Sequence, residues 1–420
     1  GSTTTSLASG STSVSCDVNK YAGTYTFSAC SAGNTVTGTC ECATGYTGAG
    51  CTACDIGYSD YDSNGTCEQK CTITGESGIT DGTLVESGTT SLNCNDPSAT
   101  SGTITYTCSN GSLGAINNTC VVPSPICSGG NIVDTTTVSG QKIHIFTSSG
   151  TLTCSQGGIS QVLVVAGGGS GGSASYGGGG GGGGAGGIVY SSSYLLSATS
   201  YSVTIGNGGA SVNCNCNGSS GTGYQGNNGG NSQFGTMIAQ GGGGGGMFNI
   251  DISTTSGSNG GSGGGGGGAY GSSGGLSTQT AQTNETSHHG NNGGLTSAHD
   301  INALKYSGGG GGGAGGVGGA GGDTMVGGAG GSGMSFNITG SSTYYSGGGG
   351  GSGGVNGTTG GVGGSGGGGA GGKGKDGLSD TNTTAGTSAT ANTGSGGGGA
   401  SNKASGAGGS GIVIVRYANP

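Results

Sequence analysis

The residues whose types and spacing could do chemistry in this 420-residue chain are fifteen cysteines, four histidines and a set of Asn-x-Ser/Thr triplets. Cys16, Cys30, Cys40, Cys42, Cys51, Cys54, Cys67, Cys71, Cys94, Cys108, Cys120 and Cys127 crowd into the first third, and Cys154, Cys214 and Cys216 follow. Few bulky apolar residues separate them, so core burial alone cannot hold such small modules together. A disulfide closing a fifteen-residue loop contributes ~3 kcal/mol by restricting the unfolded chain. Reduction would undo it, which places the chain in an oxidising, extracellular or cell-surface setting. Zinc is the competing chemistry, because Cys51-x-x-Cys54 and Cys67-x3-Cys71 have tolerable ligand spacing. The scarcity of charge favours disulfides. If the twelve cysteines up to Cys127 pair among themselves, three remain. Cys154 then takes Cys214 or Cys216, or those two bond each other, and either way one thiol is left for an intersubunit bridge.

The other reactive types point away from catalysis. His144, His288, His289 and His299 (beside Asp300) read as ordinary polar residues, and no metal, calcium or cofactor is expected. Gly260-Gly-Ser262-Gly-Gly matches a nucleophile-elbow string but lacks the strand–turn–helix context that gives the motif meaning. The stretch 367–373 resembles a phosphate loop until Gly374, where Ser or Thr is required. No paired carboxylates converge on a predicted pocket. An enzyme is therefore not expected. The acceptor triplets at Asn64, Asn110, Asn117, Asn217, Asn284, Asn337, Asn356 and Asn382 are candidate N-glycosylation sites.

Composition narrows the class. With 8 Lys+Arg against 17 Asp+Glu, the chain cannot build the basic surface that nucleic acid requires. No window of eighteen apolar residues exists to span a membrane or to serve as a secretory h-region. The chain opens Gly1-Ser2-Thr3, as a processed product would. Its 117 glycines come with only 4 prolines and no threefold glycine repeat, so collagen is excluded.

The elements that must position these residues change character once along the chain. Residues 1–160 hold 13 cysteines and 23 glycines, and residues 161–420 hold 94 glycines. The organisation expected is a Ser/Thr-rich leader or exchange arm at 1–15, cysteine-rich modules at 16–70, and a small disulfide-stapled β module at 71–127. A linker at 128–140 and a glycine-rich domain at 141–420 follow. In the third module, Thr103-Ile-Thr-Tyr-Thr-Cys108 reads as a strand. Beyond it, Lys142-Ile-His-Ile-Phe146 alternates, with residues 150–154 as its expected hairpin partner. Residues 161–166, 187–190, 194–196, 201–205 and 411–417 carry most of the Val and Ile, and β-branching favours strand. The reading is one antiparallel sheet or sandwich closed by the C-terminal strand. No segment has the composition of an α-helix.

Unbroken glycine runs fall at 177–184, 241–246, 263–268, 308–313, 347–351, 366–369 and 396–399. A flexible linker of this length inside one β framework would be far outside ordinary loop statistics. Glycine chains also adopt the extended threefold helix of the polyproline II region. There, amides and carbonyls point outward and are satisfied only when several such helices lie side by side. At ~3.1 Å per residue the runs match strands of five to seven residues. The fold class expected is mostly β: disulfide-rich N-terminal modules, then a sheet framework with packed polyglycine II helices.

Two resemblances add to this reading. Cys40-Glu-Cys42-Ala-Thr-Gly-Tyr46-Thr-Gly48-Ala-Gly-Cys51 resembles the C-terminal half of an EGF-like module. FTSSGTLTC at 146–154, QVLVVAGGG at 161–169, GGGGAGGIVY at 181–190, YSVTIGNGG at 201–209 and GGSGIVIVRY at 408–417 resemble the glycine-rich domains of phage tail-fibre adhesins and bacterial surface proteins. The second resemblance implies a packed slab of polyglycine II helices whose polar loops, here at 213–231, 251–259, 279–300 and 335–345, touch a receptor. The function expected is a self-assembling, non-enzymatic subunit of an extracellular filament or surface appendage, with copies of itself as partner. The alternative is an adhesin that binds surface glycans or a receptor.

Overall fold

The structure is a computed structural model that describes residues 102–109, 111–175, 177–214, 223–248, 256–268, 271–296, 307–322, 326–355, 359–375 and 382–420, with shorter pieces between 13 and 94. Its regular elements are β-strands, and no described residue is α-helical. The chain divides into two compact units, Gly1–Pro123 and Ser124–Pro420.

The first unit is held by short pairings and cross-links. Ser13–Ser15, at the end of the leader, pairs antiparallel with Thr24–Thr26. Residues 1–12, and the side chains of the EGF-like pattern at 40–51, lie outside the described residues. Cys54 bonds Cys67, Cys71 bonds Cys108 and Cys94 bonds Cys120. Three of the four cysteines in the zinc reading are thereby oxidised to disulfides, which removes them as ligands. The strand expected at 103–108 is Thr103–Ser109, the centre of a three-stranded sheet with Ser91–Asn93 and Ser112–Asn118. Its alternation buries Ile104, Tyr106 and Cys108 against Ile73, Ile79 and Val85. This core is small, so the Cys71–Cys108 bond buried within it and the Cys94–Cys120 bond beside it must contribute much of the unit's stability.

The second unit is a sandwich of two antiparallel sheets. One orders Ile126–Ser128, Gly150–Gln156, Ser200–Thr204, Ser232–Phe234 and Met237–Ala239. The other orders Ile132–Asp134, Gln141–Phe146, Ile412–Ala418, Gly158–Val165, Ile188–Leu196 and Ser287–His289. The segment expected as a linker at 128–140 thus supplies an edge strand, and residues just before it supply another. Cys127 explains why: it bonds Cys154 and not a cysteine of the first unit, tying Ile126–Ser128 to Gly150–Gln156. The expected hairpin between residues 142–147 and 150–154 does not form. The two strands lie in different sheets, because the C-terminal strand takes the edge of Gln141–Phe146, with Ile145 opposite Ile414.

The C-terminal strand also explains its own composition. Val413 and Val415 point between the sheets with Phe146, Leu152, Val164, Phe234 and Met237. Ile412 and Ile414 point to the other face with Ile143, Leu163 and Ile338. That face is covered by a hairpin of Met334–Phe336 and Thr343–Tyr345, so both faces of the strand are dry and it reads as an unbroken apolar run. Residues 187–190 and 194–196, read as separate runs, are one strand, Ile188–Leu196, with a register shift against Gly158–Val165 between Ser160 and Val162.

Candidate functional site

The sheet launches the glycine runs. Gly158–Val165 continues into residues 166–173, residues 178–187 lead into Ile188–Leu196, and residues 394–411 lead into Ile412–Ala418. These three strands are neighbours in one sheet, so the segments continuing them start side by side. Ala166 N donates to Gly187 O at 3.1 Å, one step past the last strand pair.

Beyond that point the partners rotate. Along the buried segment 178–187 the amides of Gly181, Gly184 and Gly187 donate to the carbonyls of Gly246, Gly243 and Gln240. Those of Gly182 and Ala185 donate to Gly309 and Gly312, and those of Gly183 and Gly186 to Gly397 and Gly394. Every third residue faces the same neighbour. The carbonyls follow the same rule towards three other segments. Gly181 and Gly184 accept from Gly172 and Gly169, Gly182 and Ala185 from Gly265 and Ser262, and Gly180 and Gly183 from Ser352 and Gly349. All these bonds measure 2.8–2.9 Å except that from Gly186 to Gly394, at 2.7 Å.

The six surrounding segments also bond one another in a closed ring. Gly242 N donates to Gly167 O, Gly243 N to Ser262 O, Gly309 N to Gly266 O, Gly311 N to Gly349 O, Gly396 N to Gly347 O and Gly397 N to Gly169 O, at 2.8–3.0 Å. Such packing leaves no room for side chains. A methyl carbon on Gly182 would meet the carbonyl oxygen of Gly349 and lie 2.9 Å from the carbonyl carbon of Gly350.

Two details depart from the sequence reading. Only part of the 366–369 run is extended: Gly366 and Gly367 have φ of +99° and +104°, a turn conformation suited to glycine. Its place in the ring is taken by residues 166–173, which Ser170 had broken into shorter runs. Polar side chains complete the network where a backbone partner is lacking, a role that composition does not reveal. Asn228 Oδ1 and Asn231 Oδ1 accept from Gly244 N and Gly241 N, Ser352 Oγ from Gly180 N and Ser395 Oγ from Gly347 N. A serine or asparagine three residues from the next partner of the same face is the signal that could have found them.

The candidate loops are partly consumed by this architecture. Within 213–231, Ser170 N donates to Asn227 O and Gly167 N to Gly230 O. Within 279–300, Ser287–His289 is a sheet strand, and 335–345 contributes to the covering hairpin with Ile338 and Tyr345 buried. Residues 251–255 and 297–300, which include His299 and Asp300, lie outside the described residues.

The remaining site residues are structural. His144 is fully buried; its Nδ1 donates to Gly129 O at 2.6 Å and its Nε2 lies 2.7 Å from Tyr417 Oη. Cys127 N donates to the same Tyr417 oxygen at 3.2 Å. The neutral imidazole satisfies this set, with the tyrosine hydroxyl donating to Nε2, and burial holds the imidazole pKa below its ordinary value. Burial likewise raises the Tyr417 phenol. His288 Nδ1 lies 2.6 Å from Glu285 Oε1, and His289 Nε2 lies 3.1 Å from Ser287 Oγ. Burial, then the neighbouring His288, lowers the His289 pKa. Among the described residues no group of three or more His, Cys, Asp or Glu could hold a metal ion.

Ser262 of the elbow-like string is buried in one of the ring segments, where its amide donates to Ala185 O. The phosphate-loop-like stretch spends its amides in the same way: Gly369, Gly371 and Gly372 donate to Gly396, Gly361 and Gly399. Cys214 is disulfide-bonded, and Cys16, Cys30, Cys40, Cys51 and Cys216 lie outside the described residues. Of the acceptor asparagines, Asn117, Asn284, Asn337 and Asn382 are exposed; Asn64, Asn110, Asn217 and Asn356 lie outside the described residues. No described helix is long and apolar enough to cross a membrane.

Fold and site together define a glycine-rich, almost entirely β protein with N-terminal disulfides, built for backbone packing and without a catalytic constellation among its described residues. Residues 145–418 match the family described as the glycine-rich domain, and the chain belongs to that family. No curated protein matches the chain.

Proposed function

We propose that the chain is a non-enzymatic structural subunit of an extracellular filament or surface appendage, whose glycine runs form a bundle of polyglycine II helices. The observation that carries this reading is the three-residue rotation of hydrogen-bond partners along 178–187. A threefold extended helix presents successive amides about 120° apart, so it needs lateral neighbours on all sides. A scaffold of this kind derives rigidity from backbone bonds and offers little cleft for a substrate. Four disulfides that close loops within the chain support an oxidising location. In this reading the cysteine-rich first unit, including the EGF-like stretch at 40–51, acts as a spacer or knob, and exposed acceptor asparagines carry glycans.

The adhesin reading has its own support in the five sequence blocks between 146 and 417, which fall inside the region that matches the glycine-rich domain family. Electron microscopy of the native assembly separates the two. Long homopolymers are expected for the filament subunit. Isolated tips or trimers, with glycan-array binding lost on shortening the 213–231 loop, would replace it with the adhesin.

A further inference from the structure

Outside the closed ring, five extended segments lie side by side: 272–278, 290–296, 316–321, 326–332 and 359–365. Gly293 N donates to Gly275 O, Gly318 N to Asn292 O, Gly319 N to Ala329 O and Gly330 N to Val362 O, at 2.8–3.0 Å. Their inner sides bond the ring, as Gly294 N to Gly310 O and Gly328 N to Gly308 O do. Their outer sides are not the small polar surface that glycine and serine would give. Leu276, Leu295, Val317, Val326 and Val362 stand there, 41–69% exposed. No Lys, Arg, Asp, Glu or His occurs in any of the five segments. Exposure recurs at every third residue, at 326, 329 and 332 and again at 359, 362 and 365. At these outward positions the amides of Leu295, Val317, Ala320, Ala329 and Val362 donate to no group among the described residues.

We infer that this face is the contact through which one copy of the chain packs on another, rod against rod. The inference rests on the self-assembly reading and names its surface. Three features select the partner. A soluble surface this free of charge and this rich in exposed Leu and Val is a binding surface by its apolar content. Its neutrality fits an equally neutral face, which this chain itself supplies. The spacing of the open amides then excludes the commonest alternative. Along an extended threefold rod the outward amides recur about every 9.3 Å, three residues at ~3.1 Å. The edge of a β-strand offers its groups every two residues, about 6.8 Å apart, and would fall out of step within one repeat. Another rod of the same pitch stays in step. Pairing two such faces would continue outward the bonding that already joins the ring to these five segments.

The test is sedimentation velocity of the full chain over a concentration series, with free thiols alkylated beforehand so that only non-covalent association is read. The variant is Val317→Lys with Val362→Lys, and Ile159→Lys is the control, an exposed apolar position on the Gly158–Val165 strand and not on this face. Both positions in the variant point to solvent, so its denaturation midpoint should equal that of the wild type. Wild type and control are expected to associate, and four lysines brought together across the contact should weaken association by about a hundredfold or more. Equal association of wild type and double variant overturns this face as the contact and leaves self-assembly standing. A wild type that stays monomeric at every concentration overturns both. Association of the wild type only on adding a second protein assigns the face to another partner and likewise overturns the inference.

Discussion

Alanine at position 182 tests the packing at its centre. The added methyl group would collide with the backbone of Gly349 and Gly350, and neither can yield like a flexible side chain. Moving the two segments apart strains three bonds at once: Gly182 N to Gly309 O, Gly265 N to Gly182 O and Gly349 N to Gly183 O. At ~0.5–1.5 kcal/mol net for each bond the loss is about 1.5–4.5 kcal/mol, and overpacking adds roughly 1–3 kcal/mol. Alanine also stiffens the unfolded chain, which returns about 0.4–1 kcal/mol. The balance is a destabilisation of about 2–6 kcal/mol, with the lower part of the range reached if relaxation spreads along the segment. The assay is equilibrium denaturation followed by tyrosine signals, since the chain has no tryptophan and Tyr194, Tyr345 and Tyr417 are buried. Gly150→Ala is the matched control: its methyl would touch only the Phe146 ring at 3.6 Å, an ordinary contact, and φ there is not positive. A Gly182→Ala protein as stable as the Gly150→Ala protein would refute the reasoning.

Three further outcomes are expected. Replacing Cys127 and Cys154 together by serine should cost about 3–4 kcal/mol, the loop-closure value for a separation of 27 residues, read as a lowered denaturation midpoint. His144 is lowered by burial, so the unfolded chain binds the proton more readily than the fold does. Stability is therefore full above the ordinary imidazole pKa of about 6.5 and falls as pH drops from there through the folded value. His289 shifts the same way, so His144→Gln should flatten only part of that slope, and a pH series of denaturation midpoints reads it. Native-state hydrogen exchange of the chain diluted to its dissociated form should leave the amides of 181–187 among the slowest and those of Val317 and Val362 among the fastest; fast exchange across 181–187 would contradict the bonding described.

Much of the framework was legible because β-branched residues announce strands locally. The alternation at 142–146 falls in a strand, and so do the runs at 161–166 and 411–417 apart from Ala166 and Gly411. Pairing was less legible. Nothing local to Gly150-Thr-Leu-Thr-Cys154 says that it leaves the sheet of the preceding strand. That depends on Cys127 and on competition from a strand some 260 residues away. The glycine segments show the same division. Runs of glycine signal that backbones approach closely, but the ring member at 166–173 hides behind Ser170, and a turn hides in 366–369 because glycine serves both conformations.

What the sequence determined by itself was chemistry and local geometry. Fifteen cysteines implied covalent staples, β-branched runs implied strands, and glycine in quantity implied segments too close for any Cβ. Tertiary structure alone decided who faces whom: which cysteine takes Cys154, which strand closes each sheet, and which six segments surround residues 178–187. The physical reason is that glycine carries no side chain to encode a partner. Identity along the runs is nearly uniform, so their neighbours are selected by where the connected strands begin and by the demand that every buried amide find a carbonyl.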